Sequence, residues 1–247
     1  MSQSSVFSFR RMKQKRTAVL SRIRDIVLAP SFTPSSVTPI VNACTAALPA
    51  AEPSNILTQL NIEGHTALYW AIVNNRPRAV WAFNKFISCY SSVCTSDLRI
   101  ACMITSNHAM STQLNLGRRS EQIRLRGLLG CPPNGIQVHT CDELTNQFNV
   151  VLRIRMFQKR LRTATENKWY HEFVAGGRIW WLCFILLKPS NGLWSAEIGF
   201  WHSQPARLDA VLLIEAHSRK LGRATSPEAL KIPSTLTGTK LLALAPW

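Results

Sequence analysis

The fold of the first half of the chain is decided by one stretch, Gly64-His65-Thr66-Ala67-Leu68-Tyr69-Trp70-Ala71-Ile72. A threonine before an apolar run can accept a hydrogen bond from a backbone N–H of the next turn, so Thr66 predicts the start of a helix. Leu68 and Ala71 are three residues apart, which places them on the same helical face. Because the side chain of Ala71 is small, a neighbouring helix can approach closely, and the stretch predicts a helix packed among others.

The same pattern occurs in two further copies, one before this stretch and one after it. Thr38-Pro39-Ile40-Val41-Asn42-Ala43-Cys44 precedes it by 28 residues, and Ser96-Asp97-Leu98-Arg99-Ile100-Ala101-Cys102 follows it by 30 residues. Each copy has a hydroxyl residue able to cap a helix, an apolar residue two positions later and an alanine three positions after that. Pro77 favours the first turn of a second helix after the middle copy, and we expect that helix to end near Ser88.

This pattern resembles the ankyrin repeat, whose signature is Thr-Pro-Leu-His-x-Ala, over about residues 34–117. The chain departs from the signature where Tyr69 and Arg99 replace the histidine, and its repeat spacing is shorter than that of the family. The resemblance implies a stack of helix pairs that binds protein partners, and an ordinary helical bundle is the alternative. Apolar residues at positions 20, 23, 27 and 28 predict that Thr17–Leu28 is a helix that covers the first repeat.

The resemblance also implies where a partner is bound, since the variable positions of the family flank the turn glycine and end the first helix. In the middle copy these positions are Ile62, Glu63, His65, Val73 and Asn74. In the last copy they are Ser92, Val93, Thr95, Met103 and Ile104. We expect these side chains to form a partner-binding face, although any one of them is also explained as a merely exposed residue. Replacing Ile62, Glu63 and His65 together is the test that the sequence suggests.

From about Ile136 the hydrophobic period changes from helical to two, which predicts β-strands. The predicted strands cover Phe148–Met156, Arg178–Leu187, Trp194–Phe200 and Ala210–Ala216, with a turn at Asn191-Gly192. The second of them is almost wholly apolar, as in a strand that is buried on both faces. Strands joined by short polar connections predict a small antiparallel sandwich or half-sandwich.

One motif in this region is more specific. Phe173-x-x-Gly176-Gly177-x-x-Trp180 resembles a stretch with the same spacing in the MATH domain, the meprin and TRAF homology fold. The resemblance implies that the two glycines form a tight turn, that Trp180 enters the core, and that the domain binds short extended peptides. Residues 136–217 are fewer than a full domain of that family has, so an unrelated small β-domain is the alternative.

Lysine and arginine outnumber aspartate and glutamate by 29 to 13 among the 247 residues, which gives a formal net charge of +16. Residues 1–30, 118–165 and 218–247 carry +6, +6 and +4, whereas residues 31–117 and 166–217 are nearly neutral. We therefore predict an α+β chain in which two folded modules are joined and flanked by basic segments. The predicted segments are a basic leader and capping helix (1–33), ankyrin-like repeats (34–117), a basic hinge (118–135), a β-rich, MATH-like domain (136–217) and a basic tail (218–247).

The sequence offers little support for catalysis, a cofactor or a metal site. It lacks the Gly-x-Ser-x-Gly, Gly-x-Gly-x-x-Gly and His-Glu-x-x-His motifs, and its seven cysteines lack the paired spacing of a zinc site. The longest apolar run, Ile179–Leu187, has nine residues, whereas a membrane span needs roughly 20. No apolar signal segment follows Met1, so we expect an intracellular protein, cytoplasmic or nuclear.

The basic run from Arg10 to Arg16 leaves a second function open. Its cations, which form a possible nuclear-import or acidic-surface patch, are Arg10, Arg11, Lys13, Lys15 and Arg16. The leading expectation is a non-enzymatic scaffold that binds a protein partner. The alternative is a nucleic-acid-associated protein that uses its basic leader, hinge and tail, while the plainest explanation of the run is a solvated leader.

Overall fold

Helices form the first half of the chain, and small antiparallel sheets form most of the second half. The computed structural model describes residues 3–30, 33–117, 120–132, 134–142, 147–187, 194–201, 207–214, 230–237 and 243–245. The chain divides into two compact units, Met1–Leu116 and Gly117–Trp247. We call them the helical unit and the sheet unit.

The helical unit consists of helices joined by short turns. Their bounds are α1 Gln3–Leu28, α2 Val37–Ala46, α3 Glu52–Thr58, α4 Ala67–Val73, α5 Pro77–Asn84, α6 Ser92–Ile104 and α7 His108–Gln113, with a 3₁₀ turn at Pro34–Ser36 before α2. Helix α5 begins at Pro77, as predicted, but ends four residues before Ser88. The predicted helix at Thr17–Leu28 is confirmed as the second half of α1.

The predicted helix caps are confirmed in one copy of the pattern and wrong in two. The Thr66 side chain accepts a hydrogen bond of 3.1 Å from the Tyr69 backbone N–H at the start of α4. Thr38 and Ser96 lie inside α2 and α6 instead. Helix α6 is capped by Ser91, five residues earlier than predicted, because residues 92–95 add a further helical turn.

Two rows of helices build this unit. Helix α4 packs between α1 and α6, while α2 packs against α5 in the second row. Helix α2, which contains the Thr38 copy, therefore lies in the second row with α5. Helix α1 packs against both α4 and α2 through its buried residues Val19, Ile23, Ile26 and Val27. The predicted role of α1 as a helix that covers the repeats stays a prediction.

The core of the helical unit is continuous from α1 to the residues after α7. Its most deeply buried large side chains are Ile26, Val27, Val41, Ile56, Leu57, Ile62, Leu68, Phe83 and Leu98. The link between α4 and α5 also holds the end of α1 through polar contacts. The Arg76 guanidinium donates to the Ile26 and Ala29 carbonyls, and Asn74 Nδ2 donates to the Val27 carbonyl over 2.7 Å. These donors satisfy carbonyls that a helix C-terminus leaves without intrahelical partners.

The sheet unit combines short helices with antiparallel strands. The helices are α8 Ser120–Leu129 and α9 Phe157–Thr163, followed by a 3₁₀ turn at Thr165–Asn167. The strands are β1 Gly135–Asp142, β2 Gln147–Arg153, β3 Lys168–Ala175, β4 Arg178–Leu186, β5 Trp194–Trp201, β6 Arg207–Ile214, β7 Leu230–Thr237 and β8 Ala243–Ala245. Within the described residues they form a β1–β2 hairpin, a sheet in the order β3-β4-β5-β8, and a two-stranded antiparallel sheet of β6 and β7.

The strand predictions agree with β2, β4, β5 and β6 and miss four other strands. Strand β2 ends at Arg153, three residues before Met156, whose backbone is left-handed. The sequence prediction has no separate strands at β1 and β3, and the tail assigned to residues 218–247 contains β7 and β8. The predicted turn at Asn191-Gly192 lies outside the described residues.

The two glycines of the Phe173–Trp180 motif form the turn between β3 and β4. Gly176 and Gly177 have φ of 52° and 66°, a left-handed conformation that glycine adopts at low cost. Phe173 and Trp180 face each other across the hairpin with nearly parallel rings, 6.3 Å between their centroids. The indole N–H of Trp180 donates to the Ala175 carbonyl over 2.9 Å, so the buried ring is also held by its polar edge.

One face of the larger sheet carries the core of this unit. Aromatic and aliphatic side chains of β3, β4 and β5 share it because residues two apart point to the same side. The β1–β2 hairpin packs near Trp180, and α9 packs near Trp169. Close packing of large rings therefore stabilises a domain with short strands.

A buried arginine fastens α9 to the loop before β1. Arg160 is 2% exposed, and its Nε donates to the Cys131 sulfur over 3.1 Å. Its two terminal nitrogens donate to Asn134 Oδ1 and to the Pro132 carbonyl. The guanidinium also lies 5.9 Å from the centroid of the Trp169 ring. All these contacts are to neutral groups, so the side chain acts as a rigid multiple donor.

In the described part of the chain, no helix combines the length and the apolar character needed to cross a bilayer. The cysteines whose thiols the structure describes are free: Cys44, Cys89, Cys94, Cys102, Cys131 and Cys183.

Candidate functional site

A tight turn precedes α4 and contains three of the predicted partner-binding residues, Ile62, Glu63 and His65. Ile62 and His65 exchange backbone hydrogen bonds of 3.1 Å and 2.9 Å. Between them Glu63 and Gly64 have φ of 51° and 79°, so both are left-handed, as a type I′ turn requires. The Glu63 side chain is exposed and contacts Arg24 of α1 over 2.7 Å. The turn therefore has a defined conformation, with Glu63 exposed at its tip.

The buried Asp97 of α6 holds this turn in place. Its Oδ1 lies 2.6 Å from Nδ1 of His65, and its Oδ2 accepts a 2.8 Å hydrogen bond from the backbone N–H of Thr66. Hydrogen bonds to a carboxylate are among the stronger ones in proteins. One side chain therefore joins the turn, the start of α4 and the middle of α6.

The His65 ring is fixed from two further directions. It stacks on Tyr69 with 3.7 Å between ring centroids and 9° between planes, while Trp70 meets its edge at 5.8 Å. The indole N–H of Trp70 donates to the Ile62 carbonyl over 2.8 Å. Burial, followed by the nearby Asp97 carboxylate, raises the pKa of Tyr69 above its ordinary value. The ring cluster is therefore a rigid support under the turn.

An exposed aliphatic stripe lies on α6 beside Asp97. Val93, Ile100 and Ile104 are 53%, 37% and 54% exposed. Val93 precedes Asp97 by four residues, and Ile100 and Ile104 follow it by three and seven residues. These spacings place the three side chains near Asp97 on one side of the helix. The helix that carries the stripe also carries Asp97, which contacts the turn. We call Glu63, His65, Val93, Ile100 and Ile104 the turn–α6 surface.

The predicted partner-binding residues differ in what the structure leaves accessible. Ile62 is buried, at 2% exposure, because its side chain belongs to the core, so its predicted contact role is corrected. Val73, Thr95 and Met103 are half-buried, and Val73 packs against the core. Asn74 is exposed, although its amide is committed to the Val27 carbonyl.

The remaining predicted positions are Ser92, Val93 and Ile104, which are exposed along α6. Ile100 belongs to the same stripe and was not among the predicted residues. Its spacing of seven from Val93 and four from Ile104 could have indicated it. Its residue type predicts the opposite, because an isoleucine in an amphipathic helix is expected to be buried.

The cations of the basic run lie on α1. Arg10, Arg11, Lys13 and Lys15 are exposed, and their charged side-chain groups have no hydrogen bond or ion pair among the described residues. Arg16 differs, since it donates to Gln59 over 2.8 Å and lies 3.9 Å from a Glu52 oxygen.

The described residues include no group of three or more histidine, cysteine, aspartate or glutamate side chains placed to hold a metal ion. Both oxygens of Asp97 contact the turn and the start of α4, so the His65–Asp97 pair positions backbone and ring.

Comparison of the chain with protein-family models, with curated proteins and with solved structures finds no match.

Proposed function

We propose that the helical unit is an ankyrin-like, non-enzymatic scaffold that binds a protein partner on the turn–α6 surface. Two features support the proposal. The helices pair and pack in two rows, and the turn before α4 is held by Asp97 of the first-row helix α6. A rigid surface binds with a smaller loss of conformational entropy than a mobile one.

The observation that carries the proposal is the exposed aliphatic stripe. Val93 and Ile104 each leave more than half of their surface exposed, and Ile100 lies between them. Contiguous exposed apolar side chains with polar neighbours are typical of protein-binding surfaces. We expect an apolar partner segment to cover the stripe and polar partner groups to meet Glu63 and His65 at its edge.

For the sheet unit we propose a MATH-like fold. Its support is local: a two-glycine turn, with Phe173 and Trp180 paired behind it in the core. The peptide-binding role that this resemblance implies is part of the same proposal.

The test is capture of partners by the full chain, followed by identification in a mass spectrometer. Val93→Ser combined with Ile104→Ser should abolish capture, because it makes the stripe polar without touching Asp97. The matched control is Leu128→Ser combined with Val151→Ser, which changes two exposed aliphatic residues of the sheet unit. Replacing Val93 and Ile104 is preferable to replacing Ile62, Glu63 and His65, since the Ile62 and His65 side chains also stabilise the fold.

Capture that is unchanged by the stripe variant, or lost equally in the control, would remove the turn–α6 surface as the binding site. Thermal unfolding of both variants should match that of the unchanged chain, because the four side chains are exposed.

The nucleic-acid alternative depends on the exposed cations of α1. Binding through phosphate contacts weakens steeply as salt rises. Retention of DNA or RNA near physiological salt, with a steep salt dependence, would favour this alternative. The absence of such retention would eliminate it.

A further inference from the structure

The first half of α1 projects beyond the core of the helical unit. All side chains from residue 9 to residue 18 are exposed, and Val19 is the first buried side chain among those of α1 that the structure describes. With 26 residues the helix is about 39 Å long, so the exposed stretch is a substantial part of it. An isolated helix as short as this exposed stretch is only marginally stable in water. Here the packed second half of α1 supports the first half.

Two large apolar side chains lie in the projecting part. Phe9 is 73% exposed and Met12 is 38% exposed. Met12 stands seven residues before Val19, which packs in the core, so both apolar residues continue the packing face of α1 outward. Among the described residues, nothing covers Phe9.

Cations stand beside these apolar side chains. Lys13 follows Phe9 by four residues and Lys15 follows Met12 by three, spacings that make them neighbours on the helix surface. Arg10 and Arg11 add two further charges, and the first acidic residue of the chain is Asp25. A helix that presents exposed apolar side chains next to unbalanced cations is typical of segments that lie on a membrane surface.

We propose that the exposed half of α1 docks on an anionic lipid surface. Lys13, Lys15, Arg10 and Arg11 meet the lipid phosphates, and Phe9 and Met12 enter the boundary between headgroups and acyl chains. An anionic lipid surface accounts for both the cations and the exposed apolar side chains. A nucleic-acid backbone would contact the cations alone and would leave Phe9 exposed to water. The proposal is independent of the protein partner on the turn–α6 surface, which is formed by the turn before α4 and by α6.

The experiment is co-sedimentation of the full chain with phosphatidylcholine vesicles, with and without phosphatidylserine. Binding should require phosphatidylserine. Lys13→Gln combined with Lys15→Gln should weaken it about 25-fold, since each cation near an anionic surface contributes about fivefold. Phe9→Ser combined with Met12→Ser should weaken it by about tenfold or more. The matched control is Arg78→Gln combined with Lys85→Gln, which removes the same charge from exposed positions elsewhere in the unit.

Several results would overturn the proposal. One is an equal loss in the charge control, because binding would then follow net charge and not α1. Another is unchanged binding after loss of Phe9 and Met12, because the apolar face would then play no part. A third is retention of duplex DNA or RNA at physiological salt without sedimentation on vesicles, which would assign the cations to nucleic acid.

Discussion

The Asp97 carboxylate lies 2.6 Å from Nδ1 of His65, across 32 residues of sequence. The same carboxylate accepts the Thr66 backbone N–H, so α6 determines where the turn before α4 points. Because Glu63 stands at the tip of this turn, its position relative to Val93 and Ile104 depends on one buried acid. The proposed binding surface is therefore positioned by the packing of the stack.

Replacing this acid should destabilise the helical unit. Asp97→Ala leaves the Thr66 N–H and the His65 ring without their partner, and we expect a loss of about 3 kcal/mol in the free energy of unfolding. Asp97→Asn should cost about half as much, because its amide oxygen can still accept from Thr66. Chemical denaturation measures both, with Glu63→Gln as an exposed control. Equal stability of all three variants would contradict the link.

The turn between β3 and β4 should tolerate only residues that accept a left-handed backbone. A Cβ added at Gly177 meets no atom within 4 Å, so the cost of a substitution comes from its φ of 66° and not from a clash. Gly177→Val should therefore destabilise the sheet unit by about 1–2 kcal/mol. Gly177→Asn should cost clearly less, because asparagine adopts this conformation more readily. Comparison of the two in thermal unfolding checks this, and equal losses would indicate a steric cause.

The sequence predicted the elements whose signals are local. Thr66 and Pro77 begin helices where expected, since a cap or a proline acts within one turn. Thr38 and Ser96 carry the same type of signal but do not cap a helix, because the helices around them extend farther. Which row α2 joins could not be predicted, because it depends on packing between helices that are distant in the chain.

The candidate surface was predicted only in part for a similar reason. A repeat alignment locates the positions near a turn, which led to Glu63, Val93 and Ile104. It does not show that Ile62 turns into the core or that Ile100 remains exposed, because both depend on neighbouring elements. The role of Asp97 was also missed, since its contacts are distant in sequence.

Alkaline pH should destabilise the helical unit through its buried thiols. Burial, together with the nearby Asp97 carboxylate, raises the pKa of Cys94 to about 11, and burial raises that of Cys102 to about 12, against 9.0 for a free thiol. The folded state therefore keeps protons that the unfolded state loses. The stabilisation is complete below pH 9 and is lost as pH rises towards 11 and 12.

Urea denaturation at pH values from about 8 upward measures this dependence. Cys94→Ala combined with Cys102→Ala should make the decline of the unfolding free energy with pH shallower, whatever its effect at neutral pH. Cys89→Ala, at an exposed thiol, should leave the slope unchanged. Identical slopes in all three proteins would show that other groups cause the alkaline loss.

The buried Arg160 should not be replaceable by lysine, although the charge is the same. Its guanidinium donates to Cys131, Asn134 and the Pro132 carbonyl at once, in a planar geometry that an ammonium group cannot reproduce. Arg160→Lys should therefore lower the unfolding free energy of the sheet unit by about 2 kcal/mol, as expected when a buried charge loses hydrogen-bond partners. Arg155→Lys, at an exposed position, should have no measurable effect. If both variants unfold alike, the loop before β1 does not depend on Arg160, and its contacts with α9 contribute little to stability.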